Sequence, residues 1–360
     1  MYNYGTLPAS DEIEVIVFGP GYGEAIALHI GDSTWILVDS CIDPEANSPA
    51  SLQYLNQIGV NPDKVRIVVA SHWHDDHTRG LSTLVNACTN AELVISNVFN
   101  DKDAFSFLCA YGGASGTELT GGAKELYQSV KAKSNQNENN LIFAGQRTVL
   151  LSQKILGQDV CISAFTPTNK TLAISKAHMA QYLPKKDTDP INHAPDLKPN
   201  LTSIVLHIKI GNDAILLGSD IENYKECGWE SVVTDSFCIQ LPVASLYKVA
   251  HHGSSNGDHA SVWSQLLSEK PVAVLTPFIR GNVNLPTLED KARIKNNTSE
   301  AYISSVGSKK PKMDNESIKR LNDICTELFL VNNGFGSVRF RKKISDLKWK
   351  VDRFGFAEPL

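Results

Sequence analysis

Residues 71–77 read Ser-His-Trp-His-Asp-Asp-His and follow directly on the largely apolar run Val65 to Ala70. The run has the length and composition of a buried strand, so the polar cluster is expected where that strand ends. Three histidines and two aspartates within seven positions are far denser than 10 histidines in 360 residues would place by chance. Imidazole nitrogens and carboxylate oxygens are the donors that a zinc-like divalent cation prefers. On an extended segment His72 and His74 project to one side. A turn after them can aim Asp76 and His77 at a second ion nearby.

The flanking sequence fits a mixed α/β chain. Short β-rich runs, Ile13 to Phe18, Ala25 to Ile30, Trp35 to Val38 and Val65 to Ala70, are separated by glycine and polar turns. Helical spacing appears over Ser51 to Ile58 and Leu81 to Ala87. A second strand-rich block comprises Ser203 to Ile210, Ala214 to Leu217, Leu246 to Ala250 and Val272 to Thr276, followed by Ser299 to Ser304 and Leu328 to Val331. Residues 98–140 and 166–200 lack clear periodicity and are expected to be insertions of the kind that form lids or binding loops. No internal repeat is present. Two similar β-rich halves suggest a single domain over 1–360, carrying these two insertions and a basic C-terminal extension from about residue 301.

Composition excludes several classes. Hydrophobic residues at 42% and charged residues at 20% match a chain with a large core, not a disordered or collagen-like one. No apolar run approaches the roughly 18 residues that a membrane span needs. Met1 to Glu14 lacks the pattern of a secretory signal, so a cytoplasmic location without membrane contact is expected. Seven cysteines, odd in number and never in a Cys-x-x-Cys pair, argue against a disulfide framework and a Cys-rich zinc knuckle. The net charge of −5 is unevenly spread: residues 301–360 hold 12 Lys or Arg against 7 Asp or Glu. That basic end includes Arg339, Arg341, Lys342 and Lys343.

Two further segments fit the cluster at 71–77. Asp220 follows the apolar run Ala214 to Leu217, where a carboxylate can bridge two cations, although Gly-Ser-Asp is also an ordinary turn. His251 and His252 follow Leu246 to Ala250. By contrast, Gly19, Gly21 and Gly23 only imitate a dinucleotide-binding turn, because Glu24 stands at the last glycine position and a β run, not a helix, comes next.

Taken in order, these segments resemble the metallo-β-lactamase fold hydrolases, and within them the branch of the soluble hydrolase domain of the competence protein ComEC. Gly21-Tyr22-Gly23-Glu24-Ala25 is similar to that branch's Gly-Gln-Gly-Asp-Ala turn, and Leu37-Val38-Asp39 to its first acidic motif. His72, His74, Asp76 and His77 match His-x-His-x-Asp-His. Asn200 and Ser203 are similar to an Asn-x-x-Ser segment, Leu216 to Asp220 to a Gly-Asp motif, and Lys248 to Ser254 to Lys-Val-Pro-His-His-Gly-Ser. The chain departs from the pattern in three places. His178, His193 and His207 all lack the strand-end context of the usual extra ligand, leaving Asn200 at that position. Leu285-Pro286 replaces a frequent His-Pro, and Thr78-Arg79-Gly80 replaces a Gly-Gly ending.

The resemblance implies an αββα sandwich with its site along one edge of two packed sheets, and two divalent cations, zinc or alternatively manganese. His72 and His74 would hold one ion, Asp76, His77 and His251 the other, and Asp220 would bridge them. Two cations sharing one water lower its pKa from 15.7 toward about 7, which supplies hydroxide at neutral pH. Asp76 would orient that water and Asp39 would buttress a ligand histidine. His252 or Lys248 would pair with a phosphate or protonate the leaving oxygen, a structural role being the alternative for Lys248. The expected function is that of a metal-dependent phosphodiesterase or nuclease acting on nucleic acid or a nucleotide. Arg339 and Arg341 would then hold phosphates and Trp349 would stack on a base. The competing readings are a hydrolase of a carboxylic ester, lactone, thioester or β-lactam, and a non-catalytic metal-stabilised scaffold. In any of these cases the insertions are expected to offer surfaces to a second copy or a partner protein.

Overall fold

The computed structural model describes residues 3–20, 22–113, 121–136, 140–183, 198–224, 227–306, 314–324 and 334–360. Two eight-stranded sheets dominate it. The first contains β1 (Glu12–Gly19), β2 (Ala25–His29), β3 (Trp35–Val38), β4 (Val65–Val69), β5 (Glu92–Ser96) and β6 (Leu141–Ala144), with β14 (Gly336–Lys343) and β15 (Lys350–Gly355) on the outside of β1. Its order is β15-β14-β1-β2-β3-β4-β5-β6. The second runs β16-β13-β12-β11-β10-β9-β8-β7. Its strands are β7 (Thr148–Ile155), β8 (Gln158–Ala164), β9 (Leu206–Ile210), β10 (Asp213–Leu217), β11 (Ala244–Lys248), β12 (Leu267–Leu275), β13 (Glu300–Ile303) and β16 (Glu358–Pro359).

Alternation along the strands sets the layers. Val15 and Val17 of β1 face the second sheet, joined by Ile26, Ile36, Ile67 and Val69, and they meet Ile162, Leu206, Ile208, Ile215, Leu217 and Leu246 from the other side. The intervening residues Ile16, Phe18, Leu37 and Val68 face outward, onto Tyr54 of α1 (Ala50–Gln57), Leu84 of α3 (Leu81–Ala87), Phe107 of α4 (Lys102–Gly113) and Leu126 of α5 (Gly121–Gln136). On the far face Leu216, Tyr247 and Leu275 pack against Trp229 of α7 (Trp229–Val233) and Ile294 of α9 (Leu288–Asn297). Both faces of each central strand are therefore buried, which is why those strands read as nearly continuous apolar runs. The result is an αββα sandwich.

Three expectations change. Residues 98–140 are not irregular: α4 and α5 occupy most of the described part and bury Phe107, Leu108, Tyr111, Leu126 and Val130. The glycine pairs that suggested a loop, Gly112-Gly113 and Gly121-Gly122, stand at the end of α4 and the start of α5, where they limit helices instead of interrupting them. Within 166–200, α6 (Asn169–Ala180) is helical, and residues 184–197, including His193, lie outside the described residues. The C-terminal part is no appendage, because β13 pairs with β12 and all eight residues of β14 pair with β1. The strand expected at Leu328 to Val331 lies outside the described residues. Among the described residues no helix is long and apolar enough to cross a membrane.

The topology prepares a single rim. The pairs β3/β4, β10/β11 and β11/β12 are parallel, so the chain leaves β3, β4, β10, β11 and β12 at carboxyl ends, the side on which sheets of this kind place ligands. Asp39, His72, Asp220, His252 and Thr276 all sit just beyond those ends.

Candidate metal centre

His72 lies just beyond the end of β4, and His74, in extended backbone, stands at the N-cap position of the short helix α2 (Asp75–Thr78), which carries Asp76 and His77. One helical step thus turns the last two donors toward the same point as the first two. Gly122 at the start of α5 holds this segment in place. A Cβ there would come within 2.1 Å of the Trp73 carbonyl oxygen, so only glycine lets α5 lie against it. Asp75, the remaining carboxylate of the run, accepts the Gly122 amide at 2.6 Å and belongs to that anchor, not to the site. Asp220 is delivered by Gly218-Ser219. A Cβ on Gly218 would meet Ala250 at 2.9 Å, so this glycine lets the ends of β10 and β11 approach.

The donors form two groups that share Asp220. His72, His74 and Asp220 make one; Asp76, His77, His252 and Asp220 make the other. His72 Nε2 lies 3.2 Å from His74 Nδ1 and 4.0 Å from Asp220 Oδ2. His77 Nε2 and His252 Nε2 each lie 3.3 Å from Asp220 Oδ2. They stand 3.6 and 3.2 Å from Asp76 Oδ2. Donors about 2.1 Å from a common tetrahedral zinc lie roughly 3.4 Å apart, and the separations here run from 3.2 to 4.0 Å around that value.

Proton positions support the same reading. His77 donates Nδ1–H to Asp39 Oδ2 at 2.7 Å. Ser71 donates its backbone N–H and its hydroxyl to the same carboxylate, both at 2.7 Å. With that hydroxyl proton committed, His72 Nδ1 donates to Ser71 Oγ at 3.1 Å. His252 Nδ1 donates to Thr276, whose hydroxyl oxygen is 3.0 Å away. His72, His77 and His252 therefore each spend the Nδ1 proton outward and turn the Nε2 lone pair inward, as the outer hydrogen-bond partners of metal ligands arrange, whereas His74 presents Nδ1 to His72. The buried His77 Nε2 and Asp220 Oδ1 make no hydrogen bond. Such orphaned polar atoms are costly unless a cation meets them, and the donor set fits a divalent metal.

The charges facing the centre show how strongly it calls for a cation. Burial alone would lower the pKa of His252, but Asp220 and Asp76 outweigh it and push the group up to about 9. Burial likewise opposes protonation of His77, and Asp220, Asp76 and Asp39 overcome it. Asp220 is held well below the usual carboxylate range, since the pull of His252 and His77 exceeds the penalty of burial. His72, buried and close to His77, is pushed the other way and stays neutral, the form that ligates.

Behind the donors lies a second network that the sequence did not disclose. Lys248 is fully buried, with Nζ 2.7 Å from Glu24 Oε1 and 4.0 Å from Asp220 Oδ1. Glu24 accepts the Thr276 hydroxyl at 2.5 Å. Its backbone N–H donates to the Asp76 carbonyl at 2.8 Å. In the sequence Glu24 stands out as the residue that breaks a glycine pattern and as the acidic member of a turn similar to Gly-Gln-Gly-Asp-Ala, with nothing to mark Lys248 as its partner.

Several expected placements differ. His252, not His251, enters the cluster. Both residues adopt left-handed backbone, with φ of 53° and 46°, so the side-chain alternation of a strand does not carry across them. His251 points to Asn256 Oδ1 at 2.9 Å and to Glu222. Asn200 donates to Glu222 at 2.7 Å and stands 3.4 Å from His251 Nε2, outside both donor groups. Lys248 is too enclosed to protonate a leaving group, because its ammonium is committed to Glu24. His207 stacks on Phe165 and donates to the Pro242 carbonyl, and His178 lies on α6.

The expected phosphate contacts are also spent elsewhere. Arg339 binds Asp352 at 2.7 Å and the Tyr4 carbonyl at 2.6 Å, and Arg341 binds buried Glu14 at 2.7 Å. Both lie on the face of β14 that looks toward the helices, because they pair in register with Ile16 and Glu14, several residues back from the rim. Lys342 sits over the ring of Trp349, which itself donates to Ser245.

The segment that bears Asp39 and the His72–His77 cluster is the part of the chain that is similar to a known family. Residues 19–115 match the model of the metallo-beta-lactamase superfamily. Two packed sheets faced by helices agree with the fold of that superfamily. A search of curated proteins returns no match. Among solved structures, metallo-beta-lactamase SMB-1 bound to 2-mercaptoethanesulfonate is 11% identical over 68% of this chain and 78% of its own, with a TM-score of 0.34. A metallo-beta-lactamase-type protein from Thermotoga maritima is 14% identical over 57% of this chain and 69% of its own, with a TM-score of 0.31. The dizinc quorum-quenching lactonase AidC is 16% identical over 54% and 55%, with a TM-score of 0.31.

Proposed function

We propose that this chain is a metal-dependent phosphodiesterase that cleaves nucleic acid or a nucleotide. The observation that carries hydrolysis is the pair of donor groups that share Asp220. When bound there, a pair of divalent cations lowers the pKa of a water toward about 7 and neutralises charge on substrate oxygens. The protein's own share of the work is positional. Asp39 and Thr276 fix the tautomers of His77 and His252, while Asp76 Oδ2 lies in the second group, 3.2 Å from His252 Nε2. Lys248 and Glu24 brace Asp220 from behind and keep water out of that side.

The phosphodiester is preferred over a carboxylic ester or lactone on the His-x-His-x-Asp-His and Lys-Val-x-His-His-Gly-Ser segments, which resemble a nucleic-acid-degrading branch. Arg339 and Arg341 lend that preference no support. The test is metal-dependent cleavage of single-stranded DNA and of bis(p-nitrophenyl) phosphate by the wild type and by His74→Ala. Equal activity in both proteins removes the claim. Turnover of chromogenic esters or lactams, with none of either phosphodiester, assigns the same centre to carbon chemistry. Bound metal without any turnover makes the chain a scaffold.

A further inference from the structure

We infer that Arg79 and Arg280, gathered on the ring of Tyr22, form an anion-binding lip of the metal centre and hold a phosphate of a nucleotide or nucleic-acid substrate. The assignment rests on the phosphodiesterase reading and gives it the recognition element that Arg339 and Arg341 do not supply.

The lip begins at a metal-facing side chain. The His252 ring lies 5.3 Å from the ring of Phe278, and Phe278 lies 5.3 Å from Tyr22. The guanidinium carbon of Arg79 stands 4.6 Å from the Tyr22 centroid, and that of Arg280 stands 5.1 Å from it. Arg280 Nη1 also donates to the Tyr22 hydroxyl at 2.8 Å. Each of the three residues lies on a segment that also contacts the centre. Arg79 follows directly on α2, and its carbonyl accepts the Ser40 hydroxyl at 2.8 Å. Tyr22 stands two residues before Glu24, whose amide is bonded to Asp76. Arg280 lies on the hairpin Phe278–Arg280 and Val283–Leu285 that also carries Phe278.

Charge decides what this arrangement is for. Both arginines are exposed, and among the described residues neither makes an ion pair, whereas Arg339 and Arg341 are committed to Asp352 and Glu14. Two like charges held on one aromatic ring repel, and Tyr22 offsets this only in part, through cation–π attraction and the hydrogen bond that its hydroxyl accepts from Arg280. A phosphate relieves the repulsion and takes up the guanidinium N–H groups that Tyr22 does not, whose planar arrangement matches its oxygens in pairs. A neutral ester or lactone offers no such partner. The lip therefore selects anionic substrates, and it is joined to the cluster through the ring contacts of Tyr22, Phe278 and His252.

The experiment is equilibrium binding of thymidine monophosphate, with unphosphorylated thymidine as reference, to the purified chain, to the Arg79→Ala/Arg280→Ala double variant and to the corresponding double Lys variant, with metal content measured in each. The wild type is expected to prefer the monophosphate, and the double Ala variant to lose roughly tenfold or more of that affinity at unchanged metal content. The double Lys variant should fall between them, since it keeps charge but not the planar fork. A wild type with no preference for the phosphate, or a double Ala variant that binds as tightly, overturns the inference. Turnover of bis(p-nitrophenyl) phosphate is read separately. Its absence in the wild type sinks the phosphodiesterase reading while the binding result still decides the lip.

Discussion

Asp39 accepts the Nδ1 proton of His77 at 2.7 Å, and it does so from a left-handed backbone with φ of 59°. A non-glycine residue in that region costs of order 1–3 kcal/mol and persists where the surroundings impose it. Here the surroundings are the two hydrogen bonds from Ser71, which aim the carboxylate at the imidazole. Asp39→Asn keeps the shape but weakens the acceptor. Metal affinity should fall by roughly 10- to 100-fold, with the fold intact by circular dichroism. Unchanged affinity in a competition titration with a chelator would show that His77 needs no such partner.

His252 and His251 are adjacent and opposite in consequence. His252→Ala removes a donor from the group that also holds Asp76 and His77, so metal content should drop from roughly two ions per chain toward one. His251→Ala removes polar contacts with Asn256, Glu222 and Asn200 that lie outside both donor groups, and it should leave the content unchanged. Elemental analysis of both variants decides the assignment, and the reverse pattern would reinstate His251.

The two residues also show where the sequence was readable and where it was not. The density of donors at 71–77 and the carboxylate after β10 stand out because each follows a buried strand, and strands ending at one rim bring them together with no further information. The choice between His251 and His252 depends on two consecutive left-handed residues, which composition does not announce. Glu24 and Lys248 pair across 224 positions of chain between two different sheets, so the motifs that carry them do not reveal that they meet. Arg339 and Arg341 were legible as cations but not as partners. Their carboxylates lie on β15 and on β1, the latter 327 positions away. The helices α4 and α5 were hidden because glycine at a helix end and glycine in a loop read alike.

Lys248 and Glu24 form an ion pair with exposures of 0% and 1%, closed off from water beneath Asp220. Removing one partner of such a pair strands a charge and typically costs about 3–5 kcal/mol. Lys248→Met should therefore lower the urea midpoint strongly, and Lys248→Met combined with Glu24→Gln should recover part of the loss because no charge is then left unpaired. Single and double variants that are equally destabilised would mean that the pair does not act as a unit. Because Lys248 also faces Asp220, the singly substituted protein should in addition bind metal less tightly.

His29 gives the clearest dependence on pH outside the metal centre. Burial pushes its pKa down to about 4, even though its Nδ1 proton goes to the Glu12 carbonyl at 2.8 Å. In the unfolded chain the same imidazole titrates near 6.5. Below that value the unfolded state takes up a proton that the folded state refuses, so the stabilisation is complete above pH 6.5 and shrinks as the pH falls toward 4. The loss amounts to about 3 kcal/mol if the burial is maintained. His29→Gln can keep the bond to Glu12 but does not titrate. The difference in unfolding free energy between wild type and His29→Gln should therefore change by about that amount between pH 7 and pH 4, in the direction that favours the variant in acid. Parallel curves for the two proteins across this range would show that His29 is solvated enough to protonate in place.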